Sequence, residues 1–146
     1  MAFYKKYHIT EHPIPEGFQI YSEALMVQGI AFRKKNAMKF AKASVSKPVC
    51  LIFEHEPDNP EDKNAIKIIG CISERKGIKK IHLGYVEREL AKWIVENNMI
   101  ESVAPRLWKT YAETKKDGYI EIGYQLVGSK EMKKGFTSHV NNLHSL

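Results

Sequence analysis

The stretch Glu56-Pro57-Asp58-Asn59-Pro60-Glu61-Asp62-Lys63-Asn64-Ala65-Ile66-Lys67-Ile68 leaves the chain few options. It opens where one apolar run, Val49 to Phe53, stops, and it closes inside another, Ile66 to Ile72. Pro57 and Pro60 fix φ at their own positions and push Glu56 and Asn59 out of the helical region. Asp58, Asn59, Asp62 and Asn64 carry short polar side chains that fold back onto nearby backbone donors, as Asx-turns do. The pattern predicts a stiff, pre-shaped hairpin loop, longer than a bare turn requires.

The flanking segments read as short strands with two helices. Phe18 to Phe32 has the apolar positions of a long strand, with Gly29 near its end at a bulge or close approach. Asn36 is a candidate N-cap for a short helix from Ala37 to about Val45, apolar at Met38, Phe40, Ala41 and Val45. Val49–Glu54, Ala65–Ile72 and Ile81–Val86 follow as strands, the first two rich in β-branched residues. Glu87 to about Asn97 is the expected main helix, with acidic residues at its positive end and Asn97-Asn98 as a left-handed C-cap. Ile100–Tyr111 and Tyr119–Val127 pair across Lys115-Lys116-Asp117-Gly118, a hairpin turn by its Asp-Gly. Ile120, Ile122, Tyr124 and Leu126 alternate with polar or small residues, so one face of that last strand is buried. The expected fold class is mainly β with two helices: a small, partly open β-barrel of about six strands, one main helix and one short one. Residues 1–17 form an N-terminal arm, 18–128 the barrel domain and 129–146 a C-terminal tail.

With 146 residues the chain is long enough for one core without covalent staples. Its apolar run lengths fall short of a bilayer span, so no membrane partner is expected. The basic start, Met1 to Lys6, has no apolar segment behind it, and a cytoplasmic location is the default expectation. Cys50 and Cys71 stand apart from any Cys-x-x-Cys pair and read as two buried, reduced thiols, so neither a structural zinc site nor any other metal is expected. A net charge of +6 suits an acidic partner, nucleic acid first.

The loop motif, together with Leu83-Gly84-Tyr85-Val86 and Glu89-Leu90-Ala91, resembles the HIRAN domain over roughly residues 23–127. That family occurs at the N-terminus of fork-remodelling ATPases and as stand-alone proteins of bacteria and phages. The resemblance implies a modified OB-like barrel that binds single-stranded DNA and grips its free 3′ end. Asp62 stands at the family position whose carboxylate accepts the 3′-hydroxyl, with Asn59 beside it. Phe32 matches the aromatic that stacks on a base. Tyr85 and Arg88 match the strand-to-helix segment that contacts phosphate, where a helix start plus an arginine makes a natural anion site. Three positions depart from the pattern. Ala31 replaces an arginine, for which Arg33, Lys34 and Lys35 supply nearby charge; Glu61 replaces an aromatic; and Glu87 replaces a proline.

The chemistry behind end recognition is simple. A terminal 3′-hydroxyl donates a hydrogen bond, and an ionised carboxylate accepts it strongly. At an internal nucleotide the same oxygen is esterified, so the donor is gone and a negative phosphate replaces it. The expected function is therefore non-enzymatic binding of single-stranded DNA in DNA repair or replication-fork processing, without cofactor, serving a helicase or nuclease in trans. The chain has no Gly-x-x-x-x-Gly-Lys-Ser/Thr loop for an ATPase of its own. One alternative is a protein-interaction module without DNA binding. The other is a metal-dependent nuclease, suggested by Pro57-Asp58 and Glu61-Asp62-Lys63, although these share a single loop.

Overall fold

Val49–His55 and Ile66–Glu74 pair antiparallel across the proline-rich loop, with Cys50 opposite Cys71 and His55 opposite Ile66. A computed structural model describes residues 5–9, 12–113, 118–133, 135 and 136. In chain order the strands are β1 (Lys5–Ile9), β2 (Phe18–Met26), β3 (Val49–His55), β4 (Ile66–Glu74), β5 (Gly77–Tyr85), β6 (Val103–Glu113) and β7 (Ile120–Ser129). The helices are α1 (Lys34–Ser46) and α2 (Arg88–Glu96), with single 3-10 turns at Ile30–Phe32 and Lys130–Met132.

The strands form two antiparallel sheets, one in the order β1-β6-β7-β2 and one in the order β3-β4-β5. This is the expected mainly β fold with two helices and no closed barrel. Among the described residues there are seven strands where about six were expected, because the N-terminal arm supplies β1, paired to the edge of β6. β4 is the central strand of its sheet, which is why it reads as an apolar run interrupted only by Lys67 and Gly70: Ile66, Ile68, Ile69, Cys71 and Ile72 are all buried. Phe40 of α1 lies over Gly70, filling the space a side chain there would occupy. The core continues through Leu83, Ile94, Leu107, Ile122 and Tyr124, which joins both sheets to both helices.

Several expectations are corrected. The run from Phe18 is not one strand to Phe32: β2 stops at Met26, and Gly29, at φ 80°, starts the 3-10 turn Ile30–Phe32. The cause is tertiary, since Gln28 leaves the first sheet to exchange two backbone hydrogen bonds with Tyr85 of β5 (2.9 and 2.8 Å). α1, expected to be the short helix, is the longer, with 13 residues against nine in α2. Asn36 is not its cap. Its side chain donates to the carbonyl of His82 (3.0 Å), while the helix begins without a side-chain cap. α2 does end as expected. Asn98 takes a left-handed φ of 55°, and Asn98 and Met99 donate their amides back to Val95 and Ile94, the paired bonds of a Schellman motif.

Nor is Cys50 buried. It is exposed, and only Cys71 lies in the core. The segment expected to be a tail begins with an ordered turn, and Phe136 is buried, stacked on Tyr21 (5.3 Å) and edge-on to Trp93 (5.4 Å). Of the Lys115–Gly118 turn, all but Gly118 lies outside the described residues. No helix among the described residues is long and apolar enough to cross a membrane.

Candidate nucleic-acid interface

The 56–65 loop is knitted by its own side chains. Asn59 Oδ1 accepts the amides of Glu61 (2.9 Å) and Asp62 (3.0 Å), and Asp62 Oδ1 accepts the amide of Asn64 (2.9 Å). These are the Asx-turns that the residue types imply. The base of the loop is closed by Glu56 N–H donating to Ala65 O (2.9 Å) and Ala65 N–H donating to Asp62 O (3.0 Å).

Glu56 is the hub that fastens this loop to the sheet. Its Oε1 accepts from Asn59 Nδ2 (2.6 Å) and from the Tyr85 hydroxyl (3.0 Å), and its Oε2 pairs with Lys67 Nζ (2.9 Å). Those bonds, that from Lys67 foremost, hold its carboxyl at about 2, far below the usual carboxylate range. The same contact with Glu56 raises the Lys67 ammonium, and burial with the bond to Glu56 raises the Tyr85 phenol.

Tyr85 in turn organises a second layer. Arg33 lies over its ring at 5.1 Å, a cation–π contact, and donates from Nε to His82 Nδ1 (3.2 Å). With Nδ1 accepting, His82 must carry its proton on Nε2, from which it donates to Gly84 O (2.9 Å). Burial first, and then the neighbouring Arg33 cation, lowers the His82 pKa and favours this neutral form.

Between the loop and the start of α2 lies an open cleft of about 510 Å³, lined by Gln28, Asn59, Glu61, Asp62, Ala65 and residues 85–88. Asp62 and Arg88 form a ridge between it and a second depression of about 580 Å³ that runs along α2 past Lys92 to Glu96. Asp62 is therefore not sealed in its turn. One oxygen is spent on Asn64, and the other faces Arg88 Nε at 4.0 Å, a loose pair because the arginine side chain is 79% exposed. Glu61 and Glu87 are exposed on the same walls.

Of the residues singled out from the sequence, Asn59, Asp62, Tyr85 and Arg88 meet at this cleft, and Arg33 sits behind it on Tyr85. Asn59 is largely consumed by the loop. Phe32 does not line the cleft; it projects from the 3-10 turn next to Arg33, 87% exposed. Lys34 is exposed at the first position of α1 and has no place on the cleft wall.

Sequence reasoning missed Glu56, Lys67, Gln28 and His82. Glu56 had one signal, its position at the head of the motif. The other three gain meaning only from strand register, which sets Lys67 opposite Tyr85 and Gln28 beside it. Among the described residues no group of three or more His, Cys, Asp or Glu side chains is placed to hold a metal ion.

A HIRAN-domain family model matches residues 24–102, more than half of the chain. No curated protein and no solved structure shows significant similarity to it. The matched segment runs from the end of β2 through both helices and the β3–β5 sheet, and so contains every residue of the cleft. β6 and β7, which the resemblance in sequence spans, fall wholly outside it. The chain thus belongs to the HIRAN-domain family, whose general property is nucleic-acid binding.

Proposed function

We propose that the cleft between the 56–65 loop and α2 receives the last nucleotide of a single strand of DNA at its free 3′ end. One observation carries the reading: the Asp62 carboxylate keeps one oxygen for its own turn and presents the other in an open cleft, with Glu61 and Glu87 beside it. A terminal hydroxyl donates to such an acceptor. A 3′-phosphate or a continuing strand would bring negative charge against three carboxylates, with Arg88 alone on that wall to offset it. The module acts by binding and has no catalytic step of its own. The family's occurrence on fork-remodelling ATPases supports a role in DNA repair or replication-fork processing, in the cytoplasm, beside a helicase or nuclease acting in trans.

The test is fluorescence anisotropy with short oligo-dT ending in either a 3′-hydroxyl or a 3′-phosphate. The hydroxyl end is expected to bind about tenfold more tightly, the worth of one charge-assisted hydrogen bond of about 1.5 kcal/mol. Asp62→Asn keeps an acceptor for the Asn64 amide but removes one of the three negative charges and the charged acceptor for the hydroxyl, so it should sharply weaken the discrimination without unfolding the loop. Phe32→Ala should weaken both ends equally, by about 1–3 kcal/mol if the ring stacks on a base. Equal affinities for the two ends in the unaltered protein would remove end recognition. Failure to bind either at low salt would remove DNA binding altogether.

A further inference from the structure

The cleft cannot be what holds the rest of a strand, because its walls carry more negative than positive charge. The positive charge lies elsewhere. Residues 33–47 carry six cations and residues 73–80 carry four, against the single carboxylate Glu74, in a chain with 23 Lys and Arg and 17 Asp and Glu overall. Less those two segments, the chain is net acidic.

The fold puts the two cationic segments side by side. Arg33, between the 3-10 turn and α1, and Asn36 of α1 bond to His82 of β5, α1 packs along that strand, and one turn past Asn36 comes Lys39, near enough to Lys79 of β5 for the two charges to interact. α1 therefore runs along β5, away from Tyr85 and the cleft. Lys35, Lys39 and Lys42 recur at i, i+4 and i+7, which puts them on one side of α1. Lys39, Lys42 and Lys47 then ring a depression of about 250 Å³ floored by Ile72, with Glu74 at its edge.

The Lys79 ammonium first, and then some loss of hydration, hold the exposed Lys39 below its ordinary pKa, and Lys47 adds to the effect while Glu74 opposes it. Two ammonium groups so placed repel each other in the free protein. An anion laid between them relieves that repulsion, and a row of anions at regular spacing would relieve it along the whole track. Six residues of β5 separate Tyr85 from Lys79, a reach of about 20 Å.

We propose that this lysine track along α1 and the β4–β5 hairpin carries the phosphates of the strand 5′ to the nucleotide seated in the cleft. The inference rests on the reading of the cleft given above. It assigns the two halves of the ligand to two regions of opposite charge: an acidic pocket for the terminus and a basic path for the backbone. Phe32, fully out in solvent beside Arg33, stands where the one gives way to the other.

Anisotropy with oligo-dT of about 3 and about 12 nucleotides tests it, the longer probe lying within the site size of a small β-barrel module. The longer probe should bind the unaltered protein at least tenfold more tightly. The double variant Lys39→Ala/Lys79→Ala should bring the 12-mer to the affinity of the 3-mer and lower its log–log salt slope by about 1.4, two phosphate contacts at about 0.7 each. Its 3-mer affinity and its preference for a 3′-hydroxyl should not change. Lys130→Ala/Lys133→Ala, which removes the same charge off the track, should leave the 12-mer within about twofold. If the track variant keeps full 12-mer affinity while end preference persists, the track is wrong and the cleft reading stands. Equal losses in both double variants would reduce the effect to net charge and overturn the track. Loss of 3-mer binding in the track variant would also overturn it, by placing the lysines in the cleft's own support. If the unaltered protein binds neither probe, both readings fail together.

Discussion

Glu56 is the residue on which the loop depends, and its ionisation makes that dependence measurable. Three donors converge on one carboxylate, and its pKa falls from 4.5 to about 2 on folding. The folded state therefore binds this proton less readily than the unfolded chain. The stabilisation is complete above pH 4.5 and is lost as pH falls through the window down to about 2. Urea midpoints followed from about pH 5 to about pH 2.5 should decline, and Glu56→Gln should flatten that decline while lowering stability at neutral pH. An unchanged slope in the variant would show that other carboxylates govern acid unfolding. Much at this scale was legible beforehand: the alternation of prolines with Asp and Asn specifies turns wherever the stretch sits. What was not legible is which acceptor serves which donor. The resemblance puts Asn59 beside the ligand carboxylate, while its type makes it an Asx-turn former, and its oxygen is spent on two backbone amides. Glu56 did not stand out, because Tyr85 and Lys67 reach it only through the pairing of β4 with β5.

At the level of elements, the joint between the two sheets is one glycine wide. Gln28 lies against β5, with its amide and carbonyl bonded to Tyr85, and a Cβ on Gly84 would run into the Gln28 carbonyl oxygen and the Val27 side chain. Backbone cannot yield as a flexible side chain does. Gly84→Ala should cost about 1–3 kcal/mol, as overpacking does, and should speed amide exchange at Gln28 and Tyr85 before other sites. Denaturation and hydrogen exchange on the same sample check both. The strand-helix order around this joint was readable from periodicity, and the errors were those that periodicity makes. The apolar run beyond Met26 looks like continued strand because Val27, Ile30 and Phe32 have strand-forming side chains, although the 3-10 turn Ile30–Phe32 buries none of its residues. α1 looks like the lesser helix in the sequence because Asn36 resembles a cap, whereas that side chain is claimed by His82.

Across the whole molecule, the two ends of the chain help to close the fold. β1 adds an edge to the four-stranded sheet, Arg106 donates to the carbonyl of His12 (2.6 Å), and Phe136 is wedged between Tyr21 of β2 and Trp93 of α2. Phe136→Ala empties a site at the meeting of a sheet and a helix and should cost about 3 kcal/mol, the low end for a buried phenylalanine because the site lies at the margin of the core. A lower urea midpoint at constant m-value is the expected signature. No loss would mean that the C-terminal segment only rests on β2 and α2. The sequence by itself determined the fold class, the shaped loop and its turn chemistry, the left-handed cap that ends α2 and the excess of positive charge. All of these follow from local propensity, periodicity and counting. Only the tertiary structure decided that Asp62 opens into a cleft with Tyr85 and Arg88, that Phe32 stands apart from it, and that the lysines of α1 gather against those of β5. The reason is physical: a charge or a ring acquires a role from neighbours far away in the chain, and strand register and helix docking choose those neighbours.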